Sequence, residues 1–440
     1  MTKSHLTNLL DCVIARRPEG PTRQSHRRAA CFRFTVFGLL LTAAVFASGC
    51  ALNQTKQAPI LATVPSGKLT WQGDLPVLHL SGTPYEIGYQ HGSLMPREVR
   101  ASLRTVMAFV DREVGIPLIG KWLACKKLDQ AWSKMKPFVP QEYLEEMEGL
   151  SAGAGIPLET LQRVHALPEL MSTTCSGFAA FGDATKGGRL IQIRNLDWAI
   201  KSDVQRYAAL FVYRPKEKRP FVSIGWLGFI GVVSGISENG ISIGEIGSDT
   251  TDQDLKGIPM PFLLRRVLEK SGDLKEAANI VMDAPRTGGY NYLFADAKAK
   301  QAVAIETTKR HYAVFWTDQE PEAPYRVPVK NAIFRSDTSF DPIVRNLQIS
   351  SCGDPSKPGL ESPVGSGAYD IRYRGQGLLL RKFYGAIDPE TAMAIARAIA
   401  PKSNVQSVVY AYPQIWVANA EGRKPAATRP YQEISLEELF

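Results

Sequence analysis

Residues 175–198 read as a β-hairpin. Cys175-Ser-Gly-Phe-Ala-Ala-Phe181 and Arg189-Leu-Ile-Gln-Ile-Arg-Asn-Leu-Asp-Trp198 are short apolar runs, and Gly182-Asp-Ala-Thr-Lys-Gly-Gly188 between them is turn chemistry. A turn at Lys186–Gly187 sets Cys175 opposite Trp198. A one-residue bulge at the glycines would set it opposite Asp197, with Asn195 further along the same face. That arrangement offers a thiol whose proton and charge are managed by polar neighbours. The plainer alternative is a buried structural cysteine near a turn.

The run Cys175-Ser-Gly-Phe, Gly188 and Arg194-Asn-Leu-Asp-Trp198 resembles the start of the mature catalytic chain in the isopenicillin N acyltransferase-like family. These are self-cleaving acyltransferases and hydrolases of the N-terminal-nucleophile (Ntn) superfamily. Leu80-Ser-Gly-Thr-Pro-Tyr-Glu-Ile-Gly-Tyr-Gln-His-Gly92 is similar to the family's pro-segment signature. Gly235-Ile-Ser-Glu-Asn-Gly-Ile-Ser-Ile243, Gly289-Tyr-Asn-Tyr-Leu-Phe-Ala-Asp296 and Asp370-Ile-Arg-Tyr-Arg-Gly375 resemble further family segments, in order. Two positions depart from the pattern: Ser237 stands where the family has Asn, and Thr174 precedes the cysteine where the best-known member has Gly.

The resemblance implies an α+β fold, the Ntn αββα sandwich of two antiparallel sheets between helical layers. It implies cleavage at Thr174–Cys175 and a thioester on Cys175, with linear acyl-amides or acyl-esters as small-molecule substrates and no cofactor. After cleavage the Cys175 α-amine would serve as base, since an α-amino group titrates near neutrality. Asp197 would orient that amine, and the Asn291 amide would stabilise the oxyanion, with a backbone N–H near Ser237–Asn239 as second donor. Arg194 or Arg372 would hold a thiolate or a substrate carboxylate. Arg372, Ser237 and Asn239 are the expected substrate-binding residues.

The formal charge of +9 is misleading, because five of those charges fall in residues 1–50. Without a basic cluster interleaved with aromatics in the remainder, nucleic acid is not an expected partner. Basic residues up to Arg33 precede an apolar run, Phe34–Phe46, too short for a comfortable span, then Ala47-Ser-Gly-Cys50. This resembles a bacterial lipoprotein signal. The expectation is a membrane-anchored envelope protein acylated on Cys50; the alternatives are a plain cleaved signal or an uncleaved anchor. Cys125 and Cys352 are then left over, as a pair or as two separate thiols.

The expected organisation is a signal over 1–50, a tether over 51–76, a helical pro-segment over 77–174 and a catalytic domain over 175–440. Residues 84–170 read as helical, with one long amphipathic run from Pro84 to Val114. From Cys175 short β-runs dominate, then helices near 261–270 and 274–282, strands, two more helices, and a closing hairpin.

Other chemistries fit poorly. Histidine and cysteine spacings do not match zinc sites, and there is no phosphate loop. Gly240-Ile-Ser-Ile-Gly244 lies in a β-run without a following helix, so it is no nucleophile elbow. His91 reads as a core or capping histidine. The competing readings are a non-catalytic envelope binding module and a papain-like Cys–His hydrolase; the latter lacks its signature around the cysteine.

Overall fold

The computed structural model describes residues 67–115, 120–171, 173–317, 327–349 and 368–440. The expected signal with Cys50, most of the tether, and Cys352 lie outside the described residues. Cys125 is buried.

The N-terminal segment is not wholly helical. Strands β1 (Lys68–Gln72) and β2 (Leu75–Gly82) come first, so the tether expected to reach residue 76 is already sheet from Lys68. Helices α1 (Pro84–Leu94), α2 (Pro96–Val114), α3 (Gly120–Met135), α4 (Gln141–Ala154) and α5 (Leu158–Ala166) follow. The single run expected from Pro84 to Val114 breaks at Met95 (φ −138°, ψ 58°). Pro96 causes this: its ring lacks an N–H and pushes the preceding residue out of the helical region. Thr83 and Glu86 form a reciprocal capping box at the start of α1.

Then come β3 (Thr174–Gly182), β4 (Gly188–Asp197), β5 (Ala208–Pro215), β6 (Phe221–Trp226), β7 (Ser234–Ser237) and β8 (Ile241–Gly247). Helices α6 (Met260–Lys270) and α7 (Leu274–Met282) precede β9 (Tyr290–Asp296), β10 (Gln301–Thr307), β11 (Tyr312–Trp316) and β12 (Ala332–Arg335). The chain closes with α8 (Pro342–Leu347), α9 (Ala368–Lys382), α10 (Pro389–Ile399), β13 (Asn404–Ala411), β14 (Gln414–Asn419), β15 (Gln432–Ser435) and α11 (Leu436–Leu439).

Among the described residues two sheets form. One has the order β1-β2-β5-β6-β7-β8-β9-β10-β11 and the other β12-β3-β4-β13-β14-β15. Pairing is antiparallel except for β2 on β5. Alternate residues of each sheet face the other: Val77, Leu210, Val222 and Ile236 meet Val408, Tyr410 and Ile415, while Leu293 and Ala304 meet Ala179 and Ile333. On the outer face of the second sheet Phe178, Ile193 and Val409 pack against Leu380 and Ile395 of α9 and α10. The outer face of the first sheet carries the N-terminal helices with α6 and α7. The layer order is αββα, an α+β fold as expected.

Helices α1 and α4 touch backbone to backbone. A Cβ on Gly88 would lie 1.9 Å from the Glu146 carbonyl oxygen, and one on Gly149 would lie 2.1 Å from that of Tyr85. Gly92 and Gly153 repeat the contact one turn on. Only glycine permits this approach.

Candidate active site

The β3–β4 hairpin forms, in a register that differs from expectation. Thr174 faces Asp197 and Cys175 faces Leu196, with the bulge between Ala180 and Gly182. One step of register reverses the facing of a side chain. Cys175 and Arg194 therefore share the inner face, whereas Asp197 points outward to α9. The expectation of Cys175 opposite Asp197 is corrected accordingly: Asp197 is a neighbour across the strand, not the partner of the thiol.

On the inner face the fully buried Sγ of Cys175 lies 3.9 Å from Oε1 of Glu245 on β8. Arg194 donates to the same oxygen at 2.9 Å, with both side chains almost wholly buried. Gly244 makes room for this guanidinium, since a Cβ there would lie 2.8 Å from Arg194 Cδ.

The backbone nitrogen of Cys175 is held differently. It donates to Oδ1 of Asp337 at 2.8 Å. Strand β12 pairs with β3 only as far as Arg335 opposite Gly177, so Asp337 continues that register to the level of Cys175. Where the ladder would supply a carbonyl, a carboxylate takes the N–H.

Arg372 ties the two acids together. It donates to Asp197 Oδ2 at 2.6 Å, Asp337 Oδ2 at 3.1 Å and Ser176 Oγ at 3.1 Å. Asn404 donates to Asp197 Oδ1 at 3.0 Å. Arg372 is thus a bridge between the two carboxylates.

Asn291 is near the site but its amide is spent. Nδ2 donates to the carbonyls of Ser336 (3.1 Å) and Thr338 (3.2 Å), and Ser339 Oγ donates to Oδ1 at 2.9 Å. Gln348 donates to the Asp337 carbonyl. Asn291 therefore braces the segment bearing Asp337. Ser237 and Asn239 are corrected as well. Ser237 Oγ bonds Asn239 Oδ1 at 2.5 Å, and Asn239 Nδ2 bonds the Gly272 carbonyl at 2.8 Å, locking the β7–β8 turn. That turn adjoins Ile241, four residues from Glu245 or about 13 Å along the strand.

Burial pushes the Cys175 thiol well above the usual range, opposed by Arg194 and by an N–H from Asp197. Burial also raises Asp197 to about 6 and Asp337 to about 7, with Arg372 opposing both. In the intact chain Cys175 is a protonated thiol, and Glu245 is the carboxylate within reach of it. The two acids on the side of the Cys175 backbone nitrogen titrate near neutrality.

Beside Leu196 and Glu245 opens an apolar cleft of about 730 Å³, its mouth included. Leu103 and Val106 of α2, Leu167, Thr173, and Trp226 with Phe229 after β6 form its walls. Thr173 is pinned at the cleft floor: its carbonyl oxygen sits where a Cβ on Gly247 would lie 2.1 Å away.

Glu245 and Asp337 were not legible as site residues. Glu245 directly follows the discounted Gly-x-Ser-x-Gly run. Asp337 sits in Arg335-Ser-Asp-Thr338, which carries no recognisable pattern.

Known proteins resemble the chain. Residues 184–323 match the family described as acyl-coenzyme A:6-aminopenicillanic acid acyl-transferase, which bears out the resemblance read from the motifs. Protein dcd1B of Dictyostelium discoideum is 30% identical over 322 residues, 66% of this chain and 64% of that protein. The match thus spans just under two thirds of that relative's length. N-acylethanolamine-hydrolyzing acid amidase of Rattus norvegicus is 21% identical over 257 residues, 56% of this chain and 64% of that protein. Among solved structures, the Caenorhabditis elegans ortholog of that amidase superposes with a TM-score of 0.39 at 15% identity, covering 54% of this chain and 92% of the other. A mutant of the conjugated bile acid hydrolase from Clostridium perfringens gives 0.37 at 12% identity, covering 60% and 93%.

Proposed function

From the acyl-transferase family match of residues 184–323, we propose that this chain is a self-cleaving cysteine amidohydrolase or acyltransferase with Cys175 as nucleophile. One observation carries the reading. Both reactive atoms of a single residue are addressed by buried charge: Sγ by Glu245 and Arg194, the backbone nitrogen by Asp337.

In the proposed first reaction Glu245 takes the thiol proton and Sγ attacks the Thr174 carbonyl. The S–C bond forms, the C–N bond breaks, and the Cys175 nitrogen takes up the proton. Water then hydrolyses the thioester, leaving a carboxylate on Thr174 and a free thiol. The new α-amine is oriented by Asp337 and takes the thiol proton in later turnovers, as a general base must. Thiolate attacks the acyl carbonyl, the amine proton passes to the leaving group, and water or an acceptor resolves the acyl-enzyme. Arg194 offsets negative charge on sulfur. The apolar cleft beside Leu196 suits an apolar acyl group in a linear amide or ester.

The proposal includes a membrane anchor through lipid on Cys50, supported by the basic, apolar and small-residue pattern before it. Intact mass and N-terminal sequencing of the mature protein read lipidation and cleavage together. Catalysis is tested with acyl-amide and acyl-ester panels and iodoacetamide mapping. The reading expects turnover lost in Cys175→Ala and selective labelling of Cys175. Equal labelling of Cys125, with turnover unchanged in that variant, overturns it.

A further inference from the structure

The wall of the cleft after β6 belongs to the part of the chain downstream of the 174–175 bond. Two of its backbone N–H groups are held from upstream. His91 of α1, fully buried, accepts the Gly228 N–H on Nε2 at 3.0 Å. His165 of α5, also buried, accepts the Ile230 N–H on Nε2 at 2.9 Å, while its Nδ1 bonds the Leu161 carbonyl at 2.8 Å. The Ile230 carbonyl accepts from Arg265 at 2.9 Å. His165 is stacked between Phe229 and Phe262, and His91 rests on Phe211. Gly228 has φ +87°, and a Cβ there would press on Leu103 at 3.1 Å. Gly228 and Phe229 line the cleft directly.

A backbone N–H can bond an imidazole nitrogen only when that nitrogen carries no proton, so each ring is held as the neutral Nδ1–H tautomer. Burial enforces this state, lowering His91 to about 3 and His165 to about 4. Neither ring touches Cys175, Glu245 or Asp337, so neither serves the chemistry proposed above.

We propose that His91 and His165 are positioning residues for acyl selection, holding the 227–230 segment, whose residues 227–229 wall the cleft, from two helices upstream of the cleavage bond. The inference rests on reading the cleft as the acyl site. A long acyl chain needs the whole wall, whereas an acetyl group needs only the region next to Cys175. Loss of the clamp therefore penalises long chains selectively.

The test uses the full chain, with acetyl to dodecanoyl p-nitroanilides as substrates and cis-parinaric acid as a binding probe in the Cys175→Ala background. In His91→Phe and His165→Phe, the ratio of kcat/KM for dodecanoyl over acetyl is expected to fall about tenfold, as is probe affinity, the size of a lost buried hydrogen bond. Gln at either position places an amide oxygen near the Nε2 site and is expected to restore both values to within about twofold of wild type. Asn is too short to reach and serves as the milder loss variant if Phe does not fold. Equal losses at every chain length, or no rescue by Gln, overturn the proposal. Absence of probe binding with both histidines intact also overturns it, with Cys175 catalysis left standing. Histidine-dependent probe binding without turnover of any anilide upholds it and removes the catalytic reading instead.

Discussion

Arg265 and Glu146 form a doubly hydrogen-bonded, buried ion pair, at 2.9 and 2.6 Å, between a helix upstream of the 174–175 bond and a helix downstream of it. Glu269 adds a third bond to the same guanidinium at 2.8 Å, and the rings of Tyr143 and Tyr213 lie against its carbon at 4.8 and 4.6 Å. Removing Glu146 leaves Arg265 with Glu269 as its carboxylate partner, which costs up to about 3–5 kcal/mol. Glu146→Ala should lower unfolding free energy by that amount in denaturant melts. After the proposed cleavage the two chains should co-elute on gel filtration at high salt, because a pair so deeply buried is little screened. Separation of the chains without denaturant would contradict this.

Asp337→Asn keeps an acceptor for the Cys175 nitrogen and removes the charge. Turnover should fall by about a hundredfold, a typical contribution for a group that manages a catalytic proton. The carboxylate is needed ionised, so kcat/KM in wild type should rise with pH through about 7, and the variant should lose that limb. A pH–rate profile identical in shape to wild type would remove Asp337 from the mechanism.

Stability should respond to pH through two opposed sets of groups. His91 and His165 have folded values of about 3 and 4, below the 6.5 of a free imidazole. The unfolded chain binds their protons first, so their contribution is present above 6.5 and lost as pH falls. Asp197 and Asp337 have folded values of about 6 and 7, above 3.8. The folded chain holds their protons, so their contribution is present below 3.8 and lost as pH rises to about 7. Each group shifts stability by on the order of 3 kcal/mol across its window. Wild type should thus be nearly flat between pH 4 and 6.5. His165→Gln should tilt the curve downward with rising pH and Asp337→Asn upward. Parallel curves for all three proteins in urea melts would refute this assignment.

Asn291→Ala should act by loosening the Asp337 segment. Three hydrogen bonds are lost, so unfolding free energy should drop by about 2–3 kcal/mol, and cleavage and turnover should slow together. Ser237→Ala is the contrast: it touches only the β7–β8 turn, and turnover should stay within about twofold of wild type. A large kinetic effect at Ser237 with none at Asn291 would restore the roles expected from sequence.

Much of the fold was legible because its signals are local. Short β-runs marked the strands from Cys175 onward, Pro84 marked a helix start, and the glycines from Gly182 to Gly188 marked the hairpin turn. The edge strand β1 and its neighbour β2 were missed, since a parallel strand paired with β5 is defined by a partner more than 100 residues away. The site was legible around Cys175 and Arg194, which share one hairpin. It failed where the deciding contact is long-range. A bulge of one residue turned Asp197 to the other face, and the residue that takes the Cys175 N–H lies 162 positions downstream. Asn291 falls in the expected neighbourhood, and its carbonyl partners lie in a loop that no pattern announces.

Strand β12 stops at Arg335, two residues short of Cys175. Had the strand continued, a main-chain carbonyl would hold the Cys175 nitrogen in an ordinary sheet bond. A carbonyl can accept a hydrogen bond from an amide but cannot change its charge when the amide becomes an amine. A carboxylate can. The early end of β12 therefore exchanges a fixed dipole for a titratable one at the single nitrogen whose chemistry is proposed to change during the protein's life.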